Sequence, residues 1–380
     1  MIHCDNEFRR YHSNLPSLSF DSVFEDDERS GNTPLPHDVC NSCLCLLNIA
    51  FLRRHYFQLR QRNLASLCSA CSQAVYFVSI LKQVNKAIAD KPTNEYMVTR
   101  DGKNDLKIGI VGFGRLGKQL AVILLDLGVI KPSDLYISTR CPEGLEKFQN
   151  EGICCCFDNA LVCKTADVLF LCCLPSQLNT VAKDMQGLLS DTIVYSFVSG
   201  VSQARIRQLL KCGNVIQTTL LFKSNCDPIF EESTPWKFGR DVRESLADPK
   251  CIVETSPLCQ KSLLEMDYQL IESYVHALMN KCIRKDVKEK EKSISICMSV
   301  LLGESSSTSE FKDILLDIMK KKTDIKEPPN VTRVQTSSHH DSIRDRIMEN
   351  EAFRNAFTEQ YVKVVQLCSN LESWNRFPIE

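Results

Sequence analysis

A short run of glycines between a strand and a helix constrains this chain more than any other feature. The run is Gly112-Phe113-Gly114-Arg115-Leu116-Gly117. It follows the strand-like Lys107-Ile108-Gly109-Ile110-Val111 and leads into an amphipathic stretch from Leu116 to Leu127. A second strand-like run, Leu135 to Ser138, comes next. Gly112 permits the tight turn, Gly114 has no Cβ to keep a pyrophosphate from the backbone, and Gly117 lets helix and strand pack closely. Free N–H groups at the helix start, with the positive end of its dipole, then face the phosphates. The pattern predicts a dinucleotide-binding βαβ unit. A glycine-rich turn that keeps the fold and binds nothing is the alternative.

The same rhythm continues downstream. Strand-like runs recur at Ile153–Cys156, Val168–Cys173, Thr192–Val198 and Val215–Thr218, with helical stretches such as Leu178–Leu189 and Gln203–Leu210 between them. Such alternation predicts a parallel sheet covered on both faces. The expected class is α/β, a Rossmann-type doubly wound parallel sheet with additional N-terminal and C-terminal helices. The polar residues 1–38 predict a disordered segment, and 39–90 a helical extension of one or two helices. The sheet domain is expected over 105–255, with Cys251-Ile252-Val253 as a further strand. Residues 256–302 predict a helical segment, helical from Leu258 to Ile283. Residues 303–342 predict a short helix, Glu310 to Lys320, and a flexible linker; 343–380 predict a last helix, Ile343 to Leu371.

Composition narrows the function classes. Apolar residues make up 43% and charged residues 24%, which are globular values. Forty-six basic residues face 47 acidic ones, so no basic surface for nucleic acid is expected. The longest unbroken apolar run, Val168–Leu174, is strand-sized, which predicts no membrane partner. The N-terminus shows no basic segment followed by an apolar one, and Glu25 to Glu28 is acidic, so the expected location is cytoplasmic. Twenty cysteines then read as reduced, small buried hydrophobes. Cys40, Cys43 and Cys45 with Cys68 and Cys71 approach zinc-ligand spacing. The helical stretch between them lacks the glycine-rich knuckles that bring such pairs together, so no metal is expected.

The second strand discriminates between nicotinamide cofactors. An NAD site wants an acid near its end for the ribose hydroxyls. Here Leu135-Tyr136-Ile137-Ser138-Thr139-Arg140 has none. Ser138 and Thr139 can donate to a 2′-phosphate and Arg140 can pair with it, so NADP is the expected cofactor. The alternative for Arg140 is an ordinary solvated residue at a helix start.

Asp158-Asn159, the run Ala166-Asp167-Val168-Leu169-Phe170-Leu171-Cys172-Cys173-Leu174-Pro175 and Val198-Ser199-Gly200-Val201 add to the glycine loop. With these residues, over Ile108 to Ile216, the chain resembles the pyrroline-5-carboxylate reductase family. The resemblance implies NADP-dependent hydride transfer to an imine-type or related small substrate. It also implies that Asn159, Cys173, Leu174 and Pro175 line the cofactor beside the loop. Where the family's fourth strand ends in Val-Lys-Pro, this chain has Cys173-Leu174-Pro175.

Departures from the family follow the sixth strand. The family carries Arg-x-Met-Pro-Asn-Thr-Pro there; this chain reads Gln217-Thr218-Thr219-Leu220-Leu221-Phe222-Lys223. The family's later Gly-Ser-Gly-Pro-Ala motif has no counterpart in 257–380. All seven histidines lie outside the sheet domain, which disfavours a histidine base from it. An iminium already carries its proton, so hydride addition asks only for a polar donor. Ser199, Thr219 and Lys223 are the candidates, with Thr219 and Lys223 preferred. The second expectation is a catalytically inactive NADP-binding or interaction module. The stripe Leu263, Leu270, Ile271, Tyr274, Val275 and Leu278 must be covered, and cover by the N-terminal helices favours a monomer. A homodimer is the alternative.

Overall fold

A computed structural model describes residues 41–89, 106–224, 234–237, 239–285, 290–303, 309–320 and 337–369. The chain divides into two units, Met1–Arg53 and Arg54–Glu380. Of the first, only helical backbone from Asn41 onward is described, and the side chains discussed below belong to the second.

Six strands form one parallel sheet: β1 Ile108–Val111, β2 Leu135–Ser138, β3 Cys154–Cys156, β4 Val168–Leu171, β5 Ile193–Ser196 and β6 Val215–Gln217. Their spatial order is β3-β2-β1-β4-β5-β6, the doubly wound arrangement. Val111 lies opposite Ser138 on one side and Leu171 on the other, so the carboxyl ends of β2, β1 and β4 are level. Chain order reverses between β1 and β4, and ligands of such sheets bind at that crevice.

Helices α1 Asn41–Ala89, α2 Arg115–Asp126, α3 Glu146–Asn150, α4 Asn159–Thr165, α5 Leu178–Met185 and α6 Gln203–Leu210 include those that flank the sheet. Then come α7 Val242–Leu246, α8 Pro249–Thr255, α9 Tyr268–Arg284, α10 Lys290–Leu302, α11 Ser309–Lys320, α12 Ser337–Glu349 and α13 Glu351–Ser369. Period-two alternation sorts the strand side chains. Leu169, Leu171, Val194 and Val215 meet α4, α5 and α6 in one apolar cluster. Ile108, Ile110, Phe170 and Tyr195 meet α1, α2 and α9 in the other. Burial on both faces is why β1 and β4 carry no polar side chain and β5 only Ser196 at its end.

Helix α1 is buried all round from Cys68 to Leu81. Phe77 stacks on Tyr274 of α9 at 5.1 Å between ring centroids, and Tyr76 packs tilted against Tyr361 of α13 at 4.8 Å. Several of the helix's buried polar groups find partners. Gln73 donates to Thr255 O and accepts from the Thr218 hydroxyl, and Tyr361 donates to Ser72. The segment Gln58–Ala89 is long and apolar enough, by length and composition, to cross a membrane; 78% of its most apolar window is buried inside the protein. A criterion of unbroken apolar runs misses it, because serine and glutamine interrupt the window.

Several expected boundaries shift. Residues 41–89 form one helix. Cys251-Ile252-Val253 is helical, because Asp248 caps the Lys250 N–H and Pro249 opens α8. The later apolar helix begins at Tyr268 under the Asp267 cap, leaving 258–267 irregular. Asn350 interrupts the last helix, where its side chain accepts from Phe353 N and restarts α13. The stripe Leu270, Ile271, Tyr274, Val275 and Leu278 is fully covered within the chain. Residues 1–38, and most of the linker inside 303–342, lie outside the described residues.

Asp126 is fully buried near the end of α2, where the helix dipole disfavours an anion. Arg243 of α7 reaches it at 2.5 Å and ties the segment after β6 to the sheet layer. Removing one partner of such a pair strands a buried charge. Arg243→Met should therefore cost about 3–5 kcal/mol, read as a lower urea midpoint. Asp126→Leu in the same chain should restore most of it. A single variant with the parental midpoint would contradict this role.

Candidate functional site

The three loop glycines answer to different demands. Gly112 has φ +95°, and a Cβ there would meet the Cys172 carbonyl and Cys173 N at 2.9 Å. On Gly117 a Cβ would sit 2.2 Å from Gly112 O. Both glycines are required by the fold. Gly114 is not: its φ is −81°, which any residue adopts, and a Cβ on it would meet no protein atom within 4 Å. It is exposed at the N-terminus of α2, and its own side has no side-chain cap for the free N–H groups. An unforced glycine beside uncapped helix amides is a cradle shaped for an anion rather than for the chain itself.

The rest of the loop is anchored. Phe113 packs edge-on against Phe148 of α3 at 5.3 Å. Arg115 is exposed, Leu116 half-buried. Gly112 N donates to Ser138 O, and Cys172 N to Val111 O, so the turn is fixed to the ends of β2 and β4.

At the end of β2 the expected donors separate. Ser138 is buried and donates its hydroxyl to Asn159 Oδ1 at 2.6 Å. In the fold that proton rests on Asn159, where the sequence predicted a donor to a 2′-phosphate. Thr139 is half-exposed; its N–H is held by Cys156 O, and its hydroxyl accepts from Cys141 N. Arg140 is exposed and makes no ion pair with a described residue. Asn159 completes its own bonding by donating to Asp184 at 3.0 Å. Asp158 beside it caps α4 through Ala160 N and Leu161 N. Across the crevice, Cys173 is buried and its thiol is pushed up to about 11 by burial, so it stays protonated. Leu174 is 63% exposed, and the exposed Pro175 opens the turn in which Gln177 holds Leu174 N.

Thr219 and Lys223 both come to the carboxyl edge of β6, and both are engaged. Thr219 donates its N–H and its hydroxyl to Asp267, at 2.9 and 2.7 Å. Lys223 donates to Gln260 O at 2.5 Å. Phe222 pairs antiparallel with Leu264, so the segment after β6 is clasped to 257–267. Burial raises the Asp267 carboxyl, against the pull of its hydrogen bonds. The sequence reading missed Asp267; its position directly before a helical stretch, as an N-cap, was the available signal.

A second acid near this clasp also escaped the sequence reading. Glu254 of α8 accepts the indole N–H of fully buried Trp236 at 2.7 Å. Burial raises its carboxyl to about 7, with Trp236 and the nearby Lys223 pulling down. The folded chain thus holds this proton more tightly than the unfolded chain. Stability from this group falls as pH rises from the ordinary carboxylate range through about 7. The buried Trp236 emission should titrate with a midpoint near 7. Glu254→Gln should flatten that titration and gain on the parent in urea midpoint between pH 5 and pH 8. An unchanged titration in the variant would remove the assignment.

The family described as "NADP oxidoreductase coenzyme F420-dependent" matches residues 107–200. A mouse protein described as NADP-dependent oxidoreductase domain-containing protein 1 is 32% identical over 241 residues, 62% of this chain and 64% of its own length. A Xenopus laevis pyrroline-5-carboxylate reductase 3 is 26% identical over 157 residues, 40% of this chain and 56% of its own. The chain thus spans somewhat less than two thirds of these relatives. Among solved structures, a Coxiella burnetii pyrroline-5-carboxylate reductase aligns at 16% identity with TM-score 0.29, covering 70% of this chain and 98% of that one. That score carries no argument, and the fold rests on the strand order above. The sequence matches make the chain similar, over its sheet domain, to that NADP oxidoreductase family and to the pyrroline-5-carboxylate reductases.

Proposed function

We propose that this relative of the pyrroline-5-carboxylate reductases holds NADP(H) along the carboxyl edge of its sheet and acts as an NADP-dependent oxidoreductase on a small imine-type or related substrate. The observation that carries the reading is Gly114. Among the described residues nothing requires glycine there, and a pyrophosphate passing over it does. When bound, the dinucleotide supplies or accepts a hydride.

The chain's own residues divide the remaining tasks. The uncapped amides at Arg115, Leu116 and Gly117 receive the pyrophosphate. Arg140 pairs with the 2′-phosphate, helped by the Thr139 hydroxyl, and β2 offers no acid that would favour NAD. Asn159, braced by Ser138 and Asp184, and the turn at Cys173, Leu174 and Pro175 border the dinucleotide. Lys223 keeps two N–H bonds beyond the one it gives Gln260, so it is the proton donor of this edge. Thr219, its proton already on Asp267, positions the segment after β6.

A second reading has one observation in its favour. Both polar residues that replace the family's motif after β6 are tied into the clasp. On that reading the chain holds NADP without turnover. Either way the unit is a single cytoplasmic chain, with the apolar face of α9 covered from within. Light scattering of the full chain should give the mass of one copy; a dimer mass would overturn that part.

The central test is titration of the full chain with NADPH and NADH, followed by intrinsic fluorescence. NADPH should bind and NADH bind more weakly. Gly114→Val should lose NADPH while keeping the parental thermal midpoint, because the added side chain enters open space. Arg140→Ala gives up a charge-assisted hydrogen bond of roughly 1.5–3 kcal/mol. NADPH should weaken roughly tenfold or more, with NADH little changed. Absence of NADPH binding at near-millimolar concentration sinks the cofactor reading; equal losses for both cofactors sink the 2′-phosphate assignment.

A further inference from the structure

Exposed apolar surface gathers at the carboxyl edge of the sheet. Eight large apolar side chains are exposed among the described residues, and four of them, Phe157, Leu161, Leu174 and Leu221, follow β3, β4 or β6. Single exposed leucines are ordinary on a protein surface. Phe157 is less ordinary, because it is 70% exposed where its place in the chain offers cover. It directly precedes Asp158, the N-cap of α4. An apolar residue in that place commonly packs on the fourth residue of the helix. Here that residue is Val162, fully buried in the cluster it shares with α5 and α6, yet the Phe157 ring stays in water.

The backbone fixes where the ring stands. Ser138 is level with Cys156 across the β2–β3 pair, and Thr139 N donates to Cys156 O at 2.9 Å. Thr139 and Phe157 therefore leave neighbouring strands side by side, about 4.8 Å apart. Arg140, the next residue along, is exposed. Asp158 pins the turn that carries the ring, accepting from Ala160 N and Leu161 N at 2.8 and 3.1 Å. An exposed aromatic ring and an exposed guanidinium thus issue from adjacent strand ends.

We infer that Phe157 is the platform on which the adenine of NADP(H) stacks. The inference rests on the proposed cofactor site. In the dinucleotide the base is borne by C1′ of the ribose, and the 2′-phosphate by the neighbouring carbon. A phosphate held by Arg140 therefore delivers the base to the ends of β2 and β3, where the Phe157 face lies open. Stacking covers a ring that the fold leaves in water, and Leu161, 44% exposed in the first turn of α4, adds apolar surface to the same turn. A phenyl ring makes no hydrogen bond to a base edge. The platform therefore supplies affinity to both nicotinamide cofactors and leaves the choice between them to Arg140.

The test titrates the full chain and its Phe157→Ala and Phe157→Tyr variants with NADPH, NADH and adenosine 2′,5′-bisphosphate by calorimetry. Phe157→Ala should weaken all three by roughly tenfold or more, the loss of one stacked base. Phe157→Tyr should bind as the parent does. If the parent binds NADPH and Phe157→Ala binds it equally well, the platform is wrong and the cofactor site stands. If the parent binds none of the three, both fall. A second arm uses the unaltered chain and decides the matter if Phe157→Ala misfolds. On photolysis, 2-azidoadenosine 2′,5′-bisphosphate should label the peptide that holds Phe157, read by mass spectrometry, and excess NADPH should prevent it. Labelling confined to other peptides overturns the platform.

Discussion

Everything else in the described structure is arranged around a helix with no solvent face from Cys68 to Leu81. Such a helix must be enclosed. One side is enclosed by the sheet through Tyr195, the other by α9 and α13 through Tyr274, Phe357 and Tyr361. Fully burying each large side chain contributes roughly 1.5–3 kcal/mol, so the aromatic layer outweighs any surface ion pair. Enclosure also forces its polar groups to find partners. Gln73 does so at both ends, reaching Thr218 beyond β6 and Thr255 at the end of α8. The edge where Thr219 and Lys223 lie is thereby braced from behind by the helix.

The sheet was legible because its strands are apolar on both faces and separated by amphipathic helices, a pattern with few other solutions. The glycine loop was legible for the same reason: Gly112 and Gly117 meet backbone so closely that no other residue fits. What failed was reading that needed long-range partners. Cys251-Ile252-Val253 has strand composition, and only the Asp248-Pro249 start turns it into a helix. The bond by which Ser138 rests its proton on Asn159 is likewise not announced by the β2 sequence. Thr219 and Lys223 follow β6 as expected, but their engagement depends on Asp267 and Gln260, which no local pattern around β6 announces.

The site also separates two reasons for a residue to be what it is. Gly112 and Gly117 serve packing, and changing them would report on folding. Gly114 and Arg140 are exposed and meet no demand from the described residues, so on the proposed reading changing them would report on a ligand. Glu254 falls between. Its raised carboxyl is a cost of burial beside Trp236, and it lies near the one lysine of the β6 edge.

Enclosure of α1 has a consequence for biosynthesis. One of its buried polar ties, Ser72 with Tyr361, joins residues 289 positions apart. A ribosome delivers Ser72 of the helix 289 residues before Tyr361 of its cover. In the interval a long apolar helix, able by length and composition to enter a bilayer, has no folded partner on its α13 side. Closing so long a loop is slow compared with local helix formation. Until α13 emerges, that apolar side of the helix is transiently exposed surface of the kind that promotes aggregation.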